Sequence, residues 1–185
     1  MVQPVSSNPD SRSGQGMLVV IDPGVKDYSL LAQGVRPGAK VLVLKGAEDA
    51  IAQITAALHR PLIPFSSLHL VVPGAPGTLR FSSGELSLKT MKAYVDQLQT
   101  WFATDLETPT KAASVLEPQL LLYSCRIGIG QAGTEFVDTL SWLTGATVSA
   151  AKTHIGQGVW SLEGQDATDL AFTLATQRAY EGVLA

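Results

Sequence analysis

The sequence is poor in metal-binding and charged side chains. It has a single cysteine, Cys125, and three histidines in 185 residues. One cysteine excludes an intrachain disulfide and a cysteine-based zinc site, and three histidines argue against a multi-histidine metal centre. Charged residues make up 16% of the chain, with a formal net charge of −3. Because nucleic acids are held by clustered lysine and arginine, this composition argues against a nucleic-acid partner. We expect no cofactor and no metal.

Long apolar segments are missing as well. No run approaches the ~18 apolar residues that a membrane-spanning helix requires, so we expect no membrane span. Residues 1–16 are rich in Ser, Pro, Asn and Gly and contain no apolar stretch of the kind that secretory signals carry. We interpret them as a flexible leader before a single domain over residues 17–185. Without a signal, the protein is expected to be cytoplasmic or to be exported by an unconventional route.

The sequence does have short, continuous apolar runs. Four of them cover residues 17–21, 41–44, 68–72 and 120–123. Continuous rather than alternating runs are typical of strands buried on both faces, and therefore of a parallel sheet covered by helices. Shorter strands are predicted at residues 147–149 and 159–162, and a hairpin over residues 78–86. His69, inside the third run, is predicted to be a hydrogen-bonded core histidine.

Apolar residues that recur every three or four positions predict helices between these strands. The stripes cover residues 28–33, 47–58, 88–102, 136–143 and 167–180. Ser87 is the expected N-cap of the third helix, Gly145 ends the fourth, and Asp166 or Thr168 begins the fifth. Residues 104–118 form a predicted loop. This alternation predicts a three-layer α/β sandwich around a mainly parallel sheet.

The candidate cleft lies where binding sites form in open α/β sheets, just beyond the carboxyl ends of the strands. Asp22, Gly74, Ser124, Cys125 and Arg126 are expected there. Cys125 precedes a glycine-rich turn into a helix, and a helix N-terminus lowers the pKa of a thiol. The alternative is a packed, inert cysteine, because a reactive thiolate also needs a basic partner. Asp22 is either a ligand or acid, or the cap of the turn that follows it.

A second pattern lies just beyond Cys125. Gly128, Gly130 and Gly133 form G-x-G-x-x-G between a strand and a helix, which is the dinucleotide-binding fingerprint. However, the glycines begin several residues after the strand, and residues 150–152 contain no acidic side chain to hold a ribose. Nucleotide binding at this turn remains an alternative function.

Three segments of the sequence together resemble a known bacterial family. Residues 18–22, 68–77 and 121–125 are similar to the family called domain of unknown function 4347, and the resemblance extends from about Met17 to about Gly164. That family is usually found in very large, repeat-bearing surface proteins. It in turn looks like caspase-type and gingipain-type cysteine peptidases, which implies a caspase-like fold.

The resemblance also implies positions for a catalytic dyad. Cys125 stands at the cysteine position, but Pro73 stands where those peptidases have histidine, and Ser124 replaces the glycine before the cysteine. Proline cannot transfer a proton, so the dyad is degenerate. His69 lies more than ~10 Å along the strand from its end and is too far away to substitute. The resemblance therefore implies a pseudoenzyme.

Three functions follow from these observations. We favour a non-catalytic caspase-like domain that acts as a protein–protein interaction or assembly module, with an unidentified protein partner and a place in a larger complex. The second is a cysteine hydrolase that uses Cys125 with a recruited base such as His154. The third is a nucleotide-binding protein. For the first two, Pro73 and Cys125 should lie on neighbouring strand ends, with Cys125 facing a cleft beside the turn at residues 74–77.

Overall fold

The structure is a computed structural model that describes residues 16–62, 64–103, 117–165 and 170–185. The predicted leader up to residue 15, most of the predicted loop over residues 104–118, and both predicted starts of the last helix lie outside the described residues. Gly16 accepts backbone hydrogen bonds from Ser66 and Ser67, at 2.8 and 3.1 Å. It is therefore bound to the start of the third strand.

Eight strands and five α-helices are present in the described residues. The strands are β1 (Met17–Ile21), β2 (Lys40–Val43), β3 (Ser67–Val71), β4 (Gly74–Ala75), β5 (Thr78–Phe81), β6 (Gly84–Ser87), β7 (Gln119–Tyr123) and β8 (Thr147–Ala150). The helices are α1 (Tyr28–Gln33), α2 (Ala50–Leu58), α3 (Val95–Leu98), α4 (Gly130–Thr144) and α5 (Leu174–Ala179).

The central sheet is parallel and has the order β2-β1-β3-β7-β8, and β4, β5 and β6 form a separate antiparallel sheet. The central strands β1, β3 and β7 are almost entirely buried. Alternate side chains point to opposite faces of these strands, so each face needs its own covering layer. The predicted α/β sandwich with three layers and a mainly parallel sheet is confirmed.

Two hydrophobic cores lie on the two faces of the sheet. The first packs Val20, Leu70 and Leu122 against α2, α4 and the antiparallel sheet. The second packs the intervening residues, such as Val71 and Tyr123, against α1, α5 and the irregular chain that includes Ile155 and Trp160. The layer over the first core therefore contains the two longest helices, whereas the second is covered by two six-residue helices and irregular segments.

The helix predicted over residues 88–102 is shorter than its apolar stripe. Ser87 does not cap it, because Ser87 is the last residue of β6 and pairs with Thr78. The Thr90 hydroxyl accepts the Ser87 N–H at 2.9 Å and so closes a turn directly after the strand. A 3₁₀ helix over Met91–Tyr94 follows, and only then the single turn of α3.

Two predicted elements at the end of the chain are wrong for a common reason. Residues 159–162 form no strand, since Val159 makes only an isolated bridge with Gly156. The last helix begins at Leu174, with the Thr173 side chain as its N-cap. In both segments the apolar side chains, among them Trp160, Leu162 and Phe172, are buried in the second core by an irregular chain. The apolar pattern therefore correctly indicates buried residues, but their backbone forms neither a strand nor a helix.

His69 is a hydrogen-bonded core histidine, as predicted. Its Nδ1 lies 3.1 Å from Tyr123 Oη, and its Nε2 lies 3.2 Å from Ser67 Oγ. Tyr123 Oη also accepts the Ala171 N–H at 2.9 Å, so this network joins two strands to the chain before α5. Burial of the ring lowers the pKa of His69 from 6.5 to about 3.

We predict that His69 makes folding pH-dependent between about 6.5 and about 3. In that window the unfolded chain binds a proton at His69 and the folded chain does not, so stability falls as the pH is lowered. His69 thereby changes the free energy of unfolding by about 1.4 kcal/mol for each pH unit.

Urea unfolding at several pH values should show a flatter pH dependence for His69→Gln than for the wild type. The matched control is His154→Gln, which changes an exposed histidine and should keep the wild-type slope. Equal slopes for His69→Gln and the wild type would contradict this assignment.

Candidate functional site at the carboxyl edge of the sheet

The ends of β3 and β7 lie side by side, as predicted. The two strands are parallel neighbours, with Val71 opposite Tyr123 at their ends. Pro73 and Cys125 each follow two residues later. The Pro73 carbonyl accepts the Arg80 N–H at 2.8 Å, which turns the chain from β3 into the antiparallel sheet. The predicted adjacency of the two strands is therefore confirmed.

Cys125 faces the core rather than a cleft. The residue is 5% exposed and belongs to the second core. Its Sγ accepts the Ile155 N–H at 3.2 Å and lies 3.7 Å from the Ile155 carbonyl oxygen. The expectation that the thiol faces the turn at residues 74–77 is wrong, because Ile155 and the end of the chain cover it. Helix α4 begins only at Gly130, so its N-terminus does not adjoin the thiol.

The end of the chain forms a cover over Cys125. The Cys125 N–H donates to the Leu184 carbonyl at 2.8 Å, and the Leu184 N–H donates to the Ile155 carbonyl at 3.0 Å. Leu184 is buried, and Gly156 pairs with Val183 in an isolated bridge. Leu184 is thus held between the two residues that surround the thiol.

No histidine forms a hydrogen bond with Cys125 in the part of the chain that the structure describes. His69 is engaged by Ser67 and Tyr123. His154 is adjacent in sequence to Ile155, which contacts the thiol, but the His154 residue is exposed whereas Cys125 is buried. A thiol activated for catalysis needs a base within about 3 Å, and neither imidazole is placed in that way.

Tyr180 is the buried polar residue near Cys125 that the sequence interpretation missed. Its Oη has no hydrogen-bond partner among the described residues. Burial, followed by electrostatic interactions with Asp27 and Cys125, raises the pKa of Tyr180 to about 12. A Cβ at Gly182 would lie 2.5 Å from the Tyr180 ring and hydroxyl, so only glycine fits there. In the sequence, Tyr180 resembles any apolar residue at the end of a helical stripe, and no local signal marks it.

Asp22 tethers the hairpin to the end of β1. The carboxylate is buried, and its Oδ1 accepts the Gly24 N–H at 2.7 Å and the Ser82 hydroxyl at 2.6 Å. Its Oδ2 accepts the Ser82 N–H at 2.9 Å. The turn-capping interpretation of Asp22 is thus supported by the Gly24 contact. Ser82 lies in the turn between β5 and β6, 60 residues after Asp22 in the sequence, and its contact with Asp22 was not predicted.

Of the remaining predicted cleft residues, Gly74 and Ser124 pack against each other and Arg126 is exposed. Ser124 is fully buried, and its Oγ has no hydrogen-bond partner within the described ranges. It lies against Gly74, where a Cβ would overlap the hydroxyl and lie 2.6 Å from the Thr78 carbonyl oxygen. Arg126 is exposed, with a positive φ of 55°. The structure therefore brings Gly74 and Ser124 into contact in a filled space.

Two glycines of the G-x-G-x-x-G pattern have a packing role. A Cβ at Gly133 would lie 2.5 Å from the Gly128 carbonyl carbon and 2.7 Å from the Ile127 carbonyl oxygen. The Gly77 N–H donates to the same Ile127 oxygen at 2.9 Å, and Gly77 packs over Ala132 in the first turn of α4. The close approach at Gly133 accounts for that glycine without a nucleotide, and a Cβ at Gly128 would lie 3.2 Å from the Ala150 Cβ.

Comparison with known protein families covers almost the whole of the described domain. The model of a family described as a domain of unknown function, DUF4347, matches residues 18–184. The chain belongs to this family. No curated protein matches the sequence. The match runs from β1 to Leu184, so the DUF4347 domain includes the sheet, the hairpin and the segment that covers Cys125. The resemblance to this family, predicted from three short segments, is confirmed.

Within the described residues of this DUF4347 domain, no three His, Cys, Asp or Glu side chains are grouped so as to hold a metal ion. No helix there has the length and apolar character needed to cross a membrane.

We predict that Asp22 and Ser82 are energetically coupled. Asp22→Ala removes three charge-assisted acceptor contacts and should lower the free energy of unfolding by about 3 kcal/mol. Ser82→Ala should cost about 1.5 kcal/mol by the same reasoning. The double variant should cost less than the sum of the two, as a double-mutant cycle measures. Ser161→Ala, at an exposed position, is the matched control and should change stability by less than about 0.5 kcal/mol. Strict additivity of the Asp22 and Ser82 effects would refute the tether.

Proposed function

We propose that this chain is a non-catalytic, caspase-like domain that serves as a protein–protein interaction or assembly module. The observation that carries the proposal is the environment of Cys125. Its thiol is buried, receives a backbone N–H from Ile155, and lies beside a strand end that continues to Pro73. Pro73 stands at the position where the resemblance to caspase-type peptidases implies a histidine, and this supports the proposal of a pseudoenzyme.

The chemistry of a cysteine hydrolase supports this assignment by contrast. Its nucleophile must reach the substrate carbonyl and must pass its proton to a base. Here Leu184 and Ile155 enclose the thiol. The nearby Tyr180 is fully protonated at neutral pH, because its pKa is about 12. Neither access nor a base is provided, so the residues at this edge serve to close the fold.

A role in assembly requires apolar surface that a partner can cover. Tyr28 and Leu30 on α1 and Leu174 on α5 are exposed large apolar residues. All three lie on the thin layer that covers the second core. This layer is therefore the surface of the domain that we assign to partner binding.

We predict that Cys125 reacts with Ellman's reagent only when the protein unfolds. It is the only cysteine, so the signal reports this thiol alone. Labelling at pH 7.5 should be slow in buffer and immediate in denaturing urea, since the reagent cannot reach a thiol that is buried in the folded protein. The control is Ser161→Cys in a Cys125→Ala background, which places a thiol at an exposed position and should label at once.

The single variant Cys125→Ala tests the absence of catalysis. Neither the wild type nor Cys125→Ala should cleave peptides with arginyl, lysyl or aspartyl residues at the scissile bond, and both should bind partners equally. Rapid labelling of the folded wild type, together with a peptidase activity that Cys125→Ala abolishes, would overturn the proposal in favour of a cysteine hydrolase.

A further inference from the structure

We draw no further inference here: the strongest candidate, the exposed apolar side chains that α1 and α5 carry over the second core (Tyr28, Leu30 and Leu174), supports none, because nothing in the described part of the chain shows what covers them.

Discussion

Strands β1, β3 and β7 are buried on both faces, and this burial determines which protein segments cover their carboxyl ends. Val72 and Cys125, which follow β3 and β7, are buried in the first and the second core. On the first side, the Asp22 carboxylate holds Ser82 and brings the hairpin over the edge. On the second side, Ile155 and Leu184 cover Cys125. In most open α/β sheets this edge is the binding site, whereas here protein segments occupy both sides of it.

The sequence predicts most of the fold because the signals for the sheet are local. A continuous apolar run needs only its own residues to indicate a strand buried on both faces, and four such runs became β1, β2, β3 and β7. Helix α1 and the end of α4 at Gly145 were also predicted at their observed positions. The errors lie where apolar residues fill the second core without regular structure, as Trp160 and Phe172 do. Periodicity indicates that such residues are buried, but not the backbone that buries them.

The candidate site was predicted less well, because its decisive contacts are remote in sequence. Cys125 and Asp22 were correctly placed at strand ends, and the neighbouring arrangement of β3 and β7 follows from the fold. The side to which the thiol points depends on Leu184, and the role of Asp22 depends on Ser82, which is 60 residues away. Gly128 and Gly133 show the same limitation. Their pattern matches a phosphate-binding turn, but a Cβ at Gly133 would overlap the backbone of Ile127 and Gly128, and a Cβ at Gly128 would lie 3.2 Å from the Ala150 Cβ.

The two faces of the sheet are covered by helices of unequal length. Helices of nine and fifteen residues shield the first core, so their outward sides can be polar while their inward sides bury the sheet. The second core is shielded by two six-residue helices, each little more than one and a half turns long. Helices this short depend on tertiary contacts, such as those of Gly34 with Thr173 and Thr176, rather than on propensity. The segment with Leu184, which together with Ile155 covers Cys125, follows directly from α5. Because Leu174 lies at the start of the same helix, a partner that covers it would also hold in place the segment that closes the edge.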